Sequence, residues 1–212
     1  MKTTNPPQSP FDKGEAVTPS LVKGRVGEGF VAGVFMKKEI YISVDVETTG
    51  AIPSKYSMYQ LGASVVGDSS RNFFKEIQLI SHDFEPDALK AVGITLEELK
   101  ILGVAPKVAM AEFEAWIKEV SGDGQPVFVG FNAPFDWSFV NGYFHLFLGH
   151  NPFGWDALDI KSYYMGMQKC SWMGTKKGKL LPQFQSTKKH THNALQDAIE
   201  QAEIFEKMMK LV

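Results

Sequence analysis

Residues Glu39 to Glu47 alternate strictly, with Ile40, Ile42, Val44 and Val46 on one face and Tyr41, Ser43, Asp45 and Glu47 on the other. A period of two is the signature of a β-strand. Its apolar face has to be covered by other elements, so the chain must build at least one layered core around a sheet. The opposite face carries two carboxylates two residues apart, hence on one side of the strand and roughly 7 Å apart along the backbone, able to converge on one cation. By itself this pair is weak evidence, because an exposed sheet face or an edge strand explains it equally well.

The pattern around this strand predicts the rest of the layer. Met58 to Val66 and Asn72 to Gln78 read as two further strands joined by a turn at Gly67-Asp68-Ser69-Ser70, which makes the first three strands an antiparallel meander. Pro86 to Val92 reads as a short helix, and Thr95 with Glu98 forms a capping box that opens another. Val108, Phe113, Trp116, Ile117 and Val120 mark the buried face of a third helix. Val127 to Phe131 is a continuous apolar run suited to a central strand, followed by a helix that Asn132 caps and that extends through Phe147. Ala157 to Ile160 is a candidate fifth strand, and a last helix runs from about Asn193 to Lys210, with Leu195, Ile199, Ala202, Ile204 and Met208 at helical spacing. Strands first and then alternating helices and strands give an α/β domain with a mixed sheet.

Residues 1–35 are of different composition, rich in Pro, Gly, Ser, Thr and Lys, and are expected to form a flexible tail, with the folded domain spanning 36–212 and Met36 a candidate true start. The glycines of this tail are spaced GxGxxxG with no strand before them, so they do not make a dinucleotide-binding loop. A formal net charge of -2 gives no nucleic-acid signal from the chain as a whole. With one cysteine, Cys170, no internal disulfide and no multi-cysteine zinc site can form. The expectation is a cytoplasmic protein without membrane insertion, since no apolar run approaches bilayer length.

Two further acidic positions stand at helix starts. Asp136 lies in Asn132-Ala133-Pro134-Phe135-Asp136, within a first helical turn, where the helix dipole favours an anion. His192 precedes Asp197 by five positions at the start of the last helix, so both can overhang one site. Each is ordinary helix-end chemistry taken alone. The ordered set Asp45-x-Glu47, Asn132-x-x-Phe135-Asp136 and His192-x-x-x-x-Asp197 resembles the DEDD superfamily of 3′–5′ exonucleases, in the histidine-containing branch that includes the proofreading subunit of bacterial replicative polymerases and RNase T.

The resemblance covers about residues 39 to 210, and Gln60 to Ala63 and Gly93 to Glu97 look like that family's connecting segments. It implies a ribonuclease-H-like mixed sheet flanked by helices. It also implies two divalent cations, Mg2+ or Mn2+, with Asp45 bridging both, Glu47 and Asp197 completing the first site and Asp136 holding the second, partly through water. His192 is implied to be the general base. Thr48, Thr49, Leu61, Asn132 and Phe135 are implied to contact the terminal nucleotides, although core and turn roles explain them equally well. The implied partner is the 3′ end of DNA or RNA, with a polymerase or a second copy of the chain left open.

Physical chemistry agrees with that assignment. Oxygen ligands suit magnesium or manganese better than zinc, and two cations can stabilise both oxygens of an in-line phosphoryl displacement. A histidine titrating near 6.5 can accept a proton at neutral pH. The chain departs from the family at two places. Phe131 stands where many relatives carry histidine, which bears on substrate contacts and not on the acids. Residues 165–191 lack a regular helical pattern and carry Trp172, Lys176, Lys177, Lys179, Lys188 and Lys189, so a mobile loop beside the site is expected, either gripping nucleic acid or merely solvated. A different two-metal phosphoesterase and a catalytically impaired nucleic-acid-binding module are the alternatives to an exonuclease.

Overall fold

The computed structural model describes residues 37–88, 95–99, 101, 103–186 and 192–211. The expected tail over 1–35, the proposed start at Met36, most of the helix expected over 86–92, and Lys188, Lys189 and His190 lie outside the described residues.

Strand β1 (Glu39–Thr48) pairs antiparallel with β2 (Met58–Val65), and β2 pairs antiparallel with β3 (Asp68–Glu76), as the meander requires. The turn between β2 and β3 is tighter than expected. Val66 and Gly67 make it alone, Val65 pairs with Asp68, and the ladder resumes where a loop had been read. Gly67 has φ 85°, a conformation that two-residue hairpin loops demand and glycine adopts without steric cost.

Strand β4 (Gln125–Gly130) pairs parallel with β1, and β5 (Ala157–Asp159) pairs parallel with β4. The sheet order is β3-β2-β1-β4-β5, so the acid-bearing strand is central and not an edge. Phe131 falls in the turn after β4 instead of in the strand.

Around the sheet are α1 (Leu96–Leu99), α2 (Pro106–Ser121), α3 (Ala133–Leu148), α4 (Ile160–Gln168) and α5 (Ala194–Met209). The capping box of α1 forms as expected: the Thr95 N–H donates to Glu98 Oε2 at 2.8 Å, and the Glu98 N–H donates to Thr95 Oγ1 at 3.3 Å. Ile42, Val44 and Val46 join Ala109, Met110, Phe113 and Ile117 of α2 and Phe139, Val140 and Phe144 of α3 in one core. Val108, expected on the buried face of α2, is 46% exposed. Ala109 and Met110 take that stripe, because they and not Val108 share a helical face with Phe113 and Ile117.

Val129 joins Ile160 and Tyr164 of α4 and Ile204, Phe205 and Met208 of α5 in a second core on the other face. The segment after α4 is not the structureless loop expected. Residues 165–168 complete α4, and three short 3-10 turns follow, Trp172–Thr175, Lys177–Lys179 and Pro182–Phe184. Buried Leu180 and Phe184 anchor these turns in the second core.

One glycine decides how closely α5 approaches the sheet. A Cβ on Gly62 of β2 would lie 2.2 Å from the Ala194 carbonyl carbon and 2.3 Å from the Leu195 nitrogen. The bare backbone at 62 lets the first turn of α5 rest on β2, where the Ala194 N–H donates to Gln60 Oε1 at 3.4 Å.

Candidate active site

In the β1–β2 register Asp45 faces Gly62 and Glu47 faces Gln60, so the two acids point to the side of the sheet where α5 begins. Asp197, in the first turn of α5 and fully buried, descends onto them. Carboxylate oxygens of Asp45, Glu47 and Asp197 lie within 4.8 Å of one another. Three carboxylates at such separation repel one another unless protonated or shared by a cation.

Asp136 comes from the first turn of α3 and is 5% exposed. Its Oδ1 accepts the N–H of Val46, the residue between Asp45 and Glu47, at 3.1 Å. This bond fixes Asp136 beside the cluster without making it part of the tightest group.

The electrostatics show the cost of assembling these acids. Burial pushes Glu47 up to about 7, with the nearby Asp197 adding to it. Burial also raises Asp136 to about 7, against hydrogen bonds from the backbone N–H groups of Val46 and Asp136 that favour its ionised form. Asp45 is held well above the ordinary carboxylate range by burial first and then by Asp136, Glu47 and Asp197. Lys177, from the second 3-10 turn, opposes the rise at both Asp45 and Asp136. It is tied down by Glu200 of α5 at 2.8 Å and lies over the Phe131 ring at 5.4 Å from its centroid.

His192 stands just outside the helix, exposed and with φ 53°, a left-handed conformation that histidine tolerates better than most residues. Asn193 is the cap of α5, its side chain accepting the Gln196 N–H at 3.2 Å. The histidine therefore sits on the lead-in to the helix that carries Asp197.

The expected nucleotide contacts divide. Asn132 is exposed and Phe135 partly so. Thr49 and Leu61 have no exposed surface. Leu61 belongs to the core, and the Thr49 hydroxyl donates to the Asp83 carbonyl at 2.9 Å and accepts the Ser57 N–H at 3.0 Å. Direct contact by these two is therefore closed off by burial. The Thr48 hydroxyl donates to the Gly50 carbonyl at 2.9 Å, so it too shapes the turn after β1.

Asn132 corrects the sequence reading in another way. It occupies the cap position of α3 but in a left-handed conformation, φ 76°, and makes no cap bond with its side chain. Pro134 removes one of the N–H groups that a cap would satisfy. Asp159 instead accepts the Ala133 N–H at 2.9 Å, while its other oxygen accepts the Ser162 N–H at 2.7 Å.

Gln201 escaped the sequence analysis. Its Nε2 donates to Asp45 Oδ1 and its Oε1 accepts the Phe131 N–H at 2.8 Å, joining β1, the end of β4 and α5. Its spacing of four from Asp197 puts both on one helix face, which is the signal that could have found it.

The chain matches the exonuclease family (RNase T) over residues 42–205. It is 48% identical over 175 residues to the 3′-5′ DNA exonuclease Cap18 of Escherichia coli, covering 82% of this chain and 94% of that protein. Among solved structures, the nuclease domain of 3′hExo, a DEDDh family member bound to rAMP, superposes with a TM-score of 0.65 at 16% identity over 81% of this chain and 92% of that one. E. coli Exonuclease I in complex with a dT13 oligonucleotide gives 0.57 at 18% identity over 82% and 41%. Those two likenesses establish the ribonuclease-H-like fold.

Proposed function

The chain belongs to the exonuclease family, and from that premise we propose that it hydrolyses DNA from single-stranded or frayed 3′ ends, releasing nucleoside monophosphates. The observation that carries this reading is the convergence of Asp45, Glu47 and Asp197 to within 4.8 Å, with Asp136 fixed alongside through Val46. DNA is preferred to RNA as substrate because the relative at 48% identity is a DNA exonuclease.

The donor set fits divalent cations of the magnesium type: it is all carboxylate oxygen, and a cation there would offset the burial and mutual repulsion that raise Asp45, Glu47 and Asp136. Asp45, Glu47 and Asp197 would hold one ion, and Asp45 with Asp136 a second. When bound, such ions stabilise the charge on the attacking and leaving oxygens of the phosphodiester. His192 accepts the proton of the attacking water, and its exposed lead-in lets it approach once the strand is in place. Gln201 holds Asp45 in the orientation the site needs. Asn132 and Phe135 present polar and aromatic surface to the terminal nucleotide.

The test is incubation of purified protein with 5′-labelled single-stranded DNA and RNA, with magnesium, with manganese and with chelator. Metal-dependent shortening of the DNA from its 3′ end, with mononucleotide as product, is expected. Release of inorganic phosphate without shortening would instead favour a phosphoesterase of another kind.

A further inference from the structure

The segment from Lys161 to Ser186 carries five lysines and no aspartate or glutamate, in a chain whose net charge is -2. Two residues of this segment meet each other beside the end of β4. Lys161 of α4 donates from Nζ to Asn132 Oδ1 at 3.3 Å. The same ammonium lies 4.1 Å from the centroid of the Trp172 ring, which is 50% exposed. A half-exposed indole with a lysine head against it has no role in either core.

The sheet register locates this pair relative to the acids. The parallel β1–β4 ladder ends with Ser43 opposite Val129. Two residues further along both strands, Asp45 comes beside Phe131, and the contact of Gln201 with both fixes that neighbourhood. Asn132 is the next residue. A line of contact therefore runs from Asp45 past Phe131 to Asn132, Lys161 and Trp172.

We propose that Trp172 and Lys161 form a binding site for the nucleotide step that precedes the scissile one on a single strand, with the indole stacking on a base and the ammonium on its phosphate. The inference rests on the exonuclease reading above and names how that site holds its substrate beyond the terminal residue. An ammonium has three donors; the contact with Asn132 uses one and one face of the indole takes another, which leaves the third for a phosphate and the opposite face of the ring for a base. Stacking on an aromatic face is indifferent to base identity, so the site selects a single strand with exposed bases rather than a sequence. A paired end keeps its bases stacked inside the duplex and cannot use the indole. The indole therefore favours single-stranded or frayed ends, as proposed above.

The experiment compares wild type with Trp172→Ala, Trp172→Phe and Lys161→Gln on two substrates, an oligothymidylate and the p-nitrophenyl ester of thymidine 5′-monophosphate, which fills only the terminal position. Trp172→Ala should raise KM for the oligonucleotide about tenfold relative to any change on the ester, a size in keeping with the loss of one stacked base, and Trp172→Phe should restore most of the difference. Lys161→Gln should lower the dependence of oligonucleotide binding on salt by about one phosphate contact. Equal losses on both substrates, or an unchanged KM for the oligonucleotide, would overturn the proposal. Should wild type hydrolyse neither substrate, the exonuclease reading fails on its own. Fluorescence anisotropy of labelled oligothymidylate without metal then decides the binding site, through the presence or absence of weakened binding in Trp172→Ala.

Discussion

Gln201, one turn along α5 from Asp197, donates its side-chain amide to Asp45 on the neighbouring strand and accepts the Phe131 N–H with the other end of the same group. The amide supplies both a donor and an acceptor, which neither a carboxylate nor an apolar side chain can. Gln201→Leu should leave the partly buried Phe131 N–H without its acceptor, at a cost of about 1 kcal/mol in stability. It should also free Asp45 to rotate, so kcat should fall further than the loss of folded protein explains. Denaturant titration alongside turnover under fully folded conditions separates the two effects, and Gln201→Glu, which keeps the acceptor but adds a fifth carboxylate beside Asp45, should lower metal-free stability and gain more from magnesium than wild type does.

The raised carboxyls make a prediction about pH. Ordinary carboxyls titrate near about 4 in the unfolded chain, whereas Glu47 and Asp136 are raised to about 7 when folded. Between those values the folded state holds more protons than the unfolded state, so metal-free stability is highest at the acid end and declines as pH rises through about 7. Magnesium should reverse the decline, since it binds the ionised acids of the folded state only. His150, raised by its bond with Glu114, adds a decline of the same sign, so the comparison needs a control. Asp45→Asn supplies it: the variant should melt higher than wild type at about pH 8 without metal, as a like charge has been removed, should gain less from magnesium, and should lose turnover. Melting curves from about pH 5 to pH 8 with and without magnesium check the sign, and a metal-free wild type that grows more stable across that range would show that the acids are already paired in solution.

Gly62 is the steric condition for the site. Gly62→Ala drives a methyl group into backbone atoms of Ala194 and Leu195, and neither can swing aside as a side-chain tip can. The expected cost is about 1–3 kcal/mol, in the range of overpacked cores. Because the displaced turn carries Asp197, metal affinity should fall more sharply than stability. Isothermal titration with magnesium measures this, and an unchanged affinity would mean that α5 seats Asp197 without close contact to β2.

What the sequence revealed and what it concealed have physical reasons. Asp45 and Glu47 were legible because a period of two fixes the face of every residue in a strand. The α1 capping box was legible because its partners lie three residues apart. Helix α4 was hidden: its buried residues are Ile160 and Tyr164, too few to announce a helical period over nine residues that also include Gly166. The three 3-10 turns contain a single turn each and have no period to read. Their anchors, Leu180 and Phe184, become recognisable only when α4 and α5 bring the second core together. Asn132 was misread because its cap geometry depends on a backbone angle, and Lys161, which holds its side chain, is 29 residues away. Contacts of that kind follow from topology, which local pattern does not contain.

The last prediction concerns which histidine accepts the proton. His192 lies one residue outside the cap of α5, exposed and five positions before Asp197. His190, two residues earlier in a lysine-rich stretch, lies outside the described residues. A general base has to come within about 3 Å of the attacking water, and the residue joined to α5 through Asn193 alone has the shorter path to the acids. His192→Ala should therefore lower single-turnover rates by about two orders of magnitude or more, the range typical of a lost acid–base group, while magnesium affinity stays close to that of wild type. His190→Ala should have a small effect. Removing a base differs from removing a ligand in that added metal cannot replace it. Single-turnover rates measured against magnesium concentration distinguish the cases: recovery of His192→Ala at high magnesium would assign that residue to support of the metal site, and a larger loss in His190→Ala would transfer the role of base to His190.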